Sequence, residues 1–352
     1  MRTRTWLRVL LVAGWVAGAS RPAPAQLFHA GRVIGEGETT RRLRFSVGRY
    51  TEIDGEVQET TRRLRTLPGQ GPNPETPESY TFEELGIAES DLAFGVAFEK
   101  LWKWATLRLD AGYFTADFRG EAVRDYYIGV SSVSFAGQTY EYMVIPKDSA
   151  FASELDGFSL GARGQFTPVT VGGDSVRFVP WLALALEGTF ATFTVDAGPA
   201  RGVQPYELPP RDYVIGGSGR GRNMVVVPSV GLGGELTFDL GQSRGRPVSL
   251  ALYGTYSLLK FSGNTDDLRV GSRNDKDLDV DYRSLELGAR LQIPVSRRTD
   301  LFVGVEYRTI DAEADSRAPE RDLEDALSRR EKYDKHIVFD TTLIQAYVGL
   351  AW

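Results

Sequence analysis

Leu285-Glu286-Leu287-Gly288-Ala289-Arg290-Leu291-Gln292-Ile293 alternates without a break, and after the short link Pro294 to Thr299 the alternation resumes in Leu301-Phe302-Val303-Gly304-Val305-Glu306-Tyr307. Successive side chains of a strand point to opposite faces. One face of this pair is therefore apolar throughout, and the other holds Glu286, Arg290 and Glu306 among glycines. The same pattern recurs outward from it over Leu43–Val47, Leu92–Phe98, Ala105–Tyr113, Phe158–Phe166, Leu182–Phe190, Val226–Phe238, Leu250–Leu258 and Ile344–Trp352. Ten strands are predicted, and helical periodicity is nearly absent.

No position of the apolar face is charged. The opposite face carries Arg44, Glu99, Arg108, Asp110, Arg163, Glu187, Glu235, Glu286, Arg290, Glu306 and Arg308, with many small residues and almost no Lys. A charge facing lipid costs roughly 2–4 kcal/mol near the midplane, which accounts for such one-sided exclusion. The connections are sorted as well. Short links at Lys100–Trp104, Gly172–Ser175, Gly241–Pro247 and Pro294–Thr299 alternate with long ones. Apolar-face aromatics gather at two heights. Tyr113, Phe158, Phe190, Tyr256 and Tyr307 lie toward the long links, and Phe98, Phe166, Phe238 and Trp352 toward the short ones. These features together predict a transmembrane, antiparallel, up-and-down β-barrel over residues 42–352, with short periplasmic turns and long extracellular loops. Pro228 falls inside a strand, where a rim or a bulge is expected.

The final residues, Gln345 to Trp352, resemble the C-terminal assembly signal of bacterial outer-membrane barrels: an amphipathic last strand ending in an aromatic residue. The resemblance implies reading by the barrel-assembly machinery and contact with outer-membrane lipid and lipopolysaccharide. Residues 1–25 fit that class. Arg2, Arg4 and Arg8 precede an apolar run from Val9 to Ala19, and Ala23-Pro24-Ala25 reads as a cleavage site. That is the pattern of a secretory signal peptide, leaving residues 26–41 as a periplasmic leader. The chain has no cysteine, hence no disulfide and no lipid-bearing thiol. A net charge of −6 argues against nucleic acid as a partner.

Some segments leave alternatives open. Tyr126–Phe135 and Thr139–Ile145 flank Ala136-Gly137-Gln138 and read as an external hairpin, with two further spanning strands (twelve in all) as the alternative. Thr81-Phe82-Glu83-Glu84 is a capping-box pattern. Pro319 to Lys332 suits a helix with a narrow stripe of Leu323, Ala326 and Leu327.

Candidate chemistry is sparse. Asp334-Lys335-His336 resembles the Asp-x-His pair of the omptin proteases, which are ten-stranded barrels. That family also needs a second acidic pair, and Asp266 and Asp267 do not match its pattern. A solvated rim histidine is the plainer reading of His336, and an outer-membrane hydrolase is only a minor alternative. His29 lies in the leader. Asp275, Asp277, Asp279 and Asp281 alternate in what reads as a loop, as a solvated acidic run or a divalent-cation contact to lipid phosphates. The glycine runs at 216–217 and 219–222 lack the context of a phosphate cradle. No cofactor is implied.

The lumen is the most informative region. Its five basic and six acidic residues nearly balance in sign. Its small residues, among them Gly48, Gly95, Gly161, Gly231, Gly233, Gly288, Gly304 and Gly349, leave room for water or a plug. Two functions follow: a narrow channel or small-solute pore lined by Arg108, Asp110, Arg163, Glu187, Glu235, Glu286, Arg290, Glu306 and Arg308, or a closed barrel whose external loops bind a surface partner.

Overall fold

The computed structural model describes residues 28–33, 40–62, 76–84, 92–173, 175–207, 210–264, 277–317 and 332–352. The signal peptide, Asp266, Asp267, Asp275 and the helix expected after Pro319 lie outside the described residues. In chain order the strands are β1 (Phe28–Ala30), β2 (Arg41–Arg62), β3 (Thr76–Thr81), β4 (Leu92–Leu101), β5 (Ala105–Glu121), β6 (Tyr126–Phe135), β7 (Gln138–Ile145), β8 (Ala150–Phe166), β9 (Val169–Gly172), β10 (Val176–Asp196), β11 (Gly202–Glu207), β12 (Pro210–Ile215), β13 (Ser218–Ser243), β14 (Arg246–Asn264), β15 (Asp277–Pro294), β16 (Asp300–Arg317) and β17 (Lys332–Ala351).

Ten of them close a ring. The order is β2-β4-β5-β8-β10-β13-β14-β15-β16-β17, and β17 pairs back onto β2. Every pairing in the ring is antiparallel. β5 pairs directly with β8, so β6 and β7 form a hairpin outside the ring. The twelve-strand alternative therefore falls. Ala136 and Gly137, at φ 51° and 81°, make its turn, the left-handed pair that a two-residue hairpin requires. Following partners from Phe45 through Val96, Ala111, Leu160, Gly188 and Val226, down to Val230, and on through Leu258, Arg283, Asp311 and Asp340 returns to Asp54. Allowing for the bulge beside Thr342, the stagger is about 12 residues and the tilt roughly 40°.

The outer wall is built for lipid. Phe45, Leu184, Leu232 and Val305 are 56%, 67%, 64% and 56% exposed. Such side chains continue around the whole ring, a band far larger than a water-soluble surface sustains. Tyr113, Phe158 and Phe190 stand side by side in register at the loop end of this band. The Phe158 and Phe190 ring centroids are 6.4 Å apart. The protein is thus a membrane-spanning β-barrel.

Beyond that girdle the strands run on, and the apolar face changes sides. On β16 the inward residues become Ile310, Ala312 and Ala314, and the outward ones Asp311, Glu313 and Asp315. On β15 they become Leu278 and Val280 inward, with Asp279, Asp281 and Arg283 outward. β5 turns Phe114, Ala116 and Phe118 inward, and β10 turns Phe193 and Val195 inward. The loop-end third of the barrel is accordingly a water-facing barrel with an apolar interior. Asp277 to Asp281 are strand residues, not a loop: apolar partners at alternate positions pull their segment into the wall. Pro228 marks neither a rim nor a bulge. It pairs in unbroken register with Leu186 of β10, whereas the β13–β14 ladder stops at Val230. The missing N–H falls on the side where β14 has already parted.

Two small additions complete the structure. At the loop end β6, β7, β12 and β11 form a second sheet, in which β7 and β12 run parallel. It packs Tyr126, Met143, Ile145 and Val214 against Phe151 and Val195 of the wall. At the turn end β1 pairs with β9.

Candidate functional site: the lumen

All nine lumen positions named from sequence face inward, and the alternation of each strand puts them there. Register then stacks them in layers. Nearest the turn end, Arg42 on β2 meets Glu99 on β4 at 3.3 Å, and Arg290 on β15 meets Glu235 on β13 at 2.8 Å. Arg32, which follows β1, adds its guanidinium 3.7 Å from Glu235. It is held there by the backbone, since Arg32 N donates to the Lys103 carbonyl at 2.6 Å and Gly31 N to the Pro168 carbonyl at 3.0 Å. Segment 28–33 is thus seated across the turn end of the lumen.

The middle layer is one continuous chain of alternating charge. Arg44 grips Glu306 with both terminal nitrogens, at 2.6 and 3.2 Å. Glu306 lies 3.6 Å from Arg108, and Arg108 donates to Glu286 at 2.8 Å. Arg163 donates to the other oxygen of Glu286 at 2.8 Å and to Glu187 at 3.3 Å. Arg308 also donates to Glu187. The chain spans the ring from β2 through β16, β5, β15, β8 and β10. Uncharged donors fill the remaining acceptor sites: Gln345 and Tyr253 onto Glu306 at 2.6 and 3.0 Å, and Tyr282 onto Glu187 at 3.2 Å. Asp110 branches from the chain at Arg108, also at 3.6 Å. It borders a cavity of about 70 Å³ with Ser46, Ser159, Arg308 and Gln345, room for a few waters and no more.

Above the charges the lumen turns apolar. Tyr50 and Phe114 meet edge-on at 5.0 Å. Ile53, Ala116 and Phe118 pack there with Phe82, Leu155, Phe193 and Phe339. The turn carrying Phe82 is held by the capping box read from sequence. Thr81 N donates to Glu84 Oε2 and Glu84 N to Thr81 Oγ1, each at 3.1 Å.

Away from the cavity, which Gly95 and Gly112 also line, four inward glycines leave no open water space. A Cβ on Gly288 would collide with the ring of Tyr253, its cross-strand partner. The same holds for Gly304 under Tyr347, Gly349 under Phe302 and Gly233 under Trp181. Each glycine is a notch in which the neighbouring strand's aromatic ring lies flat against the wall, a pairing that compensates for the missing side chain. Tyr253, Tyr282, Tyr347, Trp181 and Arg32 were not among the residues singled out from sequence. The glycine–aromatic pairs are visible there only once register is known, and Arg32 carries no strand signal at all.

His336 does not face the mouth. It lies opposite Asp315 on the outer face, with Nδ1 2.9 Å from Asp315 Oδ1.

No family model matches the chain, and neither does any curated protein. Among solved structures, the outer membrane protease OmpT from Escherichia coli is 12% identical with a TM-score of 0.38, over 89% of this chain and 97% of that one. The transport unit of the autotransporter AIDA-I from Escherichia coli is 8% identical with a TM-score of 0.34, over 99% and 97%. A Pseudomonas aeruginosa FadL homologue is 8% identical with a TM-score of 0.20, over 88% and 90%. Scores this low transfer neither activity nor ligand to the present barrel.

Proposed function

We propose that this is a closed outer-membrane barrel that acts through its extracellular portion, with the short turns in the periplasm and the long connections outside. One observation carries the reading: the unbroken chain Arg44–Glu306–Arg108–Glu286–Arg163–Glu187–Arg308 across the lumen. A selective pore presents a surplus of one charge sign to its solute. Here each charge is already spent on a neighbour, an apolar layer lies above, and Arg32 sits below.

The exposed working surface in this reading is the accessory sheet of β6, β7, β11 and β12. Tyr213, buried, stands edge-on between the half-buried Tyr127 and Tyr142, at 5.3 and 5.5 Å, and stiffens this sheet. Outer-membrane lipid and lipopolysaccharide surround the wall, and the last strand, β17, is the segment offered to the barrel-assembly machinery. No catalytic step is assigned.

Planar-bilayer recording of the refolded mature chain tests the reading. Silence is expected from protein that shows heat-modifiable gel mobility. Defined single-channel steps altered by Arg163→Ala would overturn it in favour of a narrow pore.

A further inference from the structure

Outside the lumen, one group of side chains has a chemistry that the closed barrel does not use. Glu313, Asp315 and His336 bring a donor atom each to within 4.8 Å of one another on the outer face of β16 and β17. We propose that these three side chains form a divalent-metal site of the zinc class on the extracellular wall.

The placement is built by the strands. Glu313 and Asp315 are two apart on β16 and so share a face, and His336 is the direct cross-strand partner of Asp315. No loop conformation has to be recruited. The 2.9 Å between His336 Nδ1 and Asp315 Oδ1 is close to the ~3.3 Å edge between neighbouring ligands of a tetrahedral ion bound at about 2.0–2.1 Å. The Glu313 carboxylate lies within reach of the same point, leaving the fourth position to water or an external anion.

The donor set also sets the class of ion. An imidazole with two carboxylates suits zinc, nickel or copper. Calcium and magnesium take oxygen ligands and gain nothing from the histidine. The surroundings favour a cation too. Register sets Asp279 opposite Asp315 and Asp281 opposite Glu313, like charges on directly paired positions. Arg283 relieves one of these, donating to Asp281 at 3.0 Å. Like charges directly opposite are destabilising, and an ion held by Glu313 and Asp315 would offset that. Bound there, it would also tie β16 to β17, next to the seam where β17 closes on β2.

The test is metal titration of the full mature barrel, refolded in detergent, against a chromophoric chelator. Zn²⁺ should bind at one equivalent and in clear preference to Ca²⁺ and Mg²⁺. His336→Ala and Glu313→Gln should each weaken it roughly a hundredfold. His29→Ala, which removes the other histidine, should leave binding unchanged. Zn²⁺ binding untouched by His336→Ala, or equal affinity for Ca²⁺, would overturn the site and leave only an acidic wall. Heat-modifiable mobility checks that each variant is folded. X-ray absorption of the zinc-loaded native sequence decides independently: imidazole scattering is expected, and its absence counts against the proposal.

Discussion

Arg108 on β5 and Glu286 on β15 stand on opposite sides of the ten-strand ring and meet in its centre at 2.8 Å. Glu286 also holds Arg163. Removing its carboxylate takes from two arginines their closest acceptor, leaving Arg108 with Glu306 and Asp110 at 3.6 Å and Arg163 with Glu187 at 3.3 Å, in a water-poor interior where loss of one partner of a buried pair costs about 3–5 kcal/mol. Glu286→Ala should therefore lower the urea-unfolding free energy by an amount in this range. It is also the variant most apt to admit ions. A loss below about 1 kcal/mol would mean that water already solvates this chain.

The seating of Arg32 against Glu235 calls for a different measurement. Arg290 keeps its 2.8 Å contact with Glu235 when Arg32 is lost. Arg32→Ala should thus be much milder than Glu235→Ala. A double-mutant cycle on unfolding free energy should give a coupling of about 1 kcal/mol. Zero coupling would place segment 28–33 away from the lumen.

The change of apolar face at the girdle predicts opposite answers from one kind of substitution at two heights. Leu184, 67% exposed within the lipid band, should lose roughly 2–4 kcal/mol as Leu184→Arg. Val338 pairs with Glu313 on one side and Glu56 on the other. Val338→Arg should cost less than about 1 kcal/mol, the figure for positions clear of the hydrocarbon. Equal penalties at both sites would refute the position given to the membrane.

Gly288→Ala drives a methyl into the Tyr253 ring, and with it the phenol that donates to Glu306 at 3.0 Å. Overpacking of this kind costs about 1–3 kcal/mol. Gly164→Ala meets nothing within 4 Å and serves as the neutral comparison in the same denaturant titration.

Much of this barrel is legible in the sequence. Alternation places all ten ring strands, and the Ser and Tyr on their faces favour an external hairpin for β6 and β7, with twelve strands left open until β5 is seen to pair with β8. What escapes along the strands themselves has one physical root. The strands were read by an outward apolar face, and that face ends at Tyr307 on β16 and near Leu285 on β15. Beyond it the same backbone continues with apolar residues inside, so Asp279 and Asp281 looked like a loop and Asp311 to Asp315 went unread. The lumen residues were identifiable one by one because parity alone assigns them. Their partners were not, because Arg108 meeting Glu286, or Tyr253 lying on Gly288, depends on closure and stagger.

The switch of faces also works as a depth gauge. Were the barrel to shift toward its turn end, Asp311, Asp281 and Asp340 would be dragged into hydrocarbon. Were it to shift the other way, Phe158 and Phe190, at the loop end of the apolar band, would be drawn into water. Either displacement is opposed from the first few ångströms, so the height at which the barrel floats is written into the strands themselves and needs no anchor from its loops.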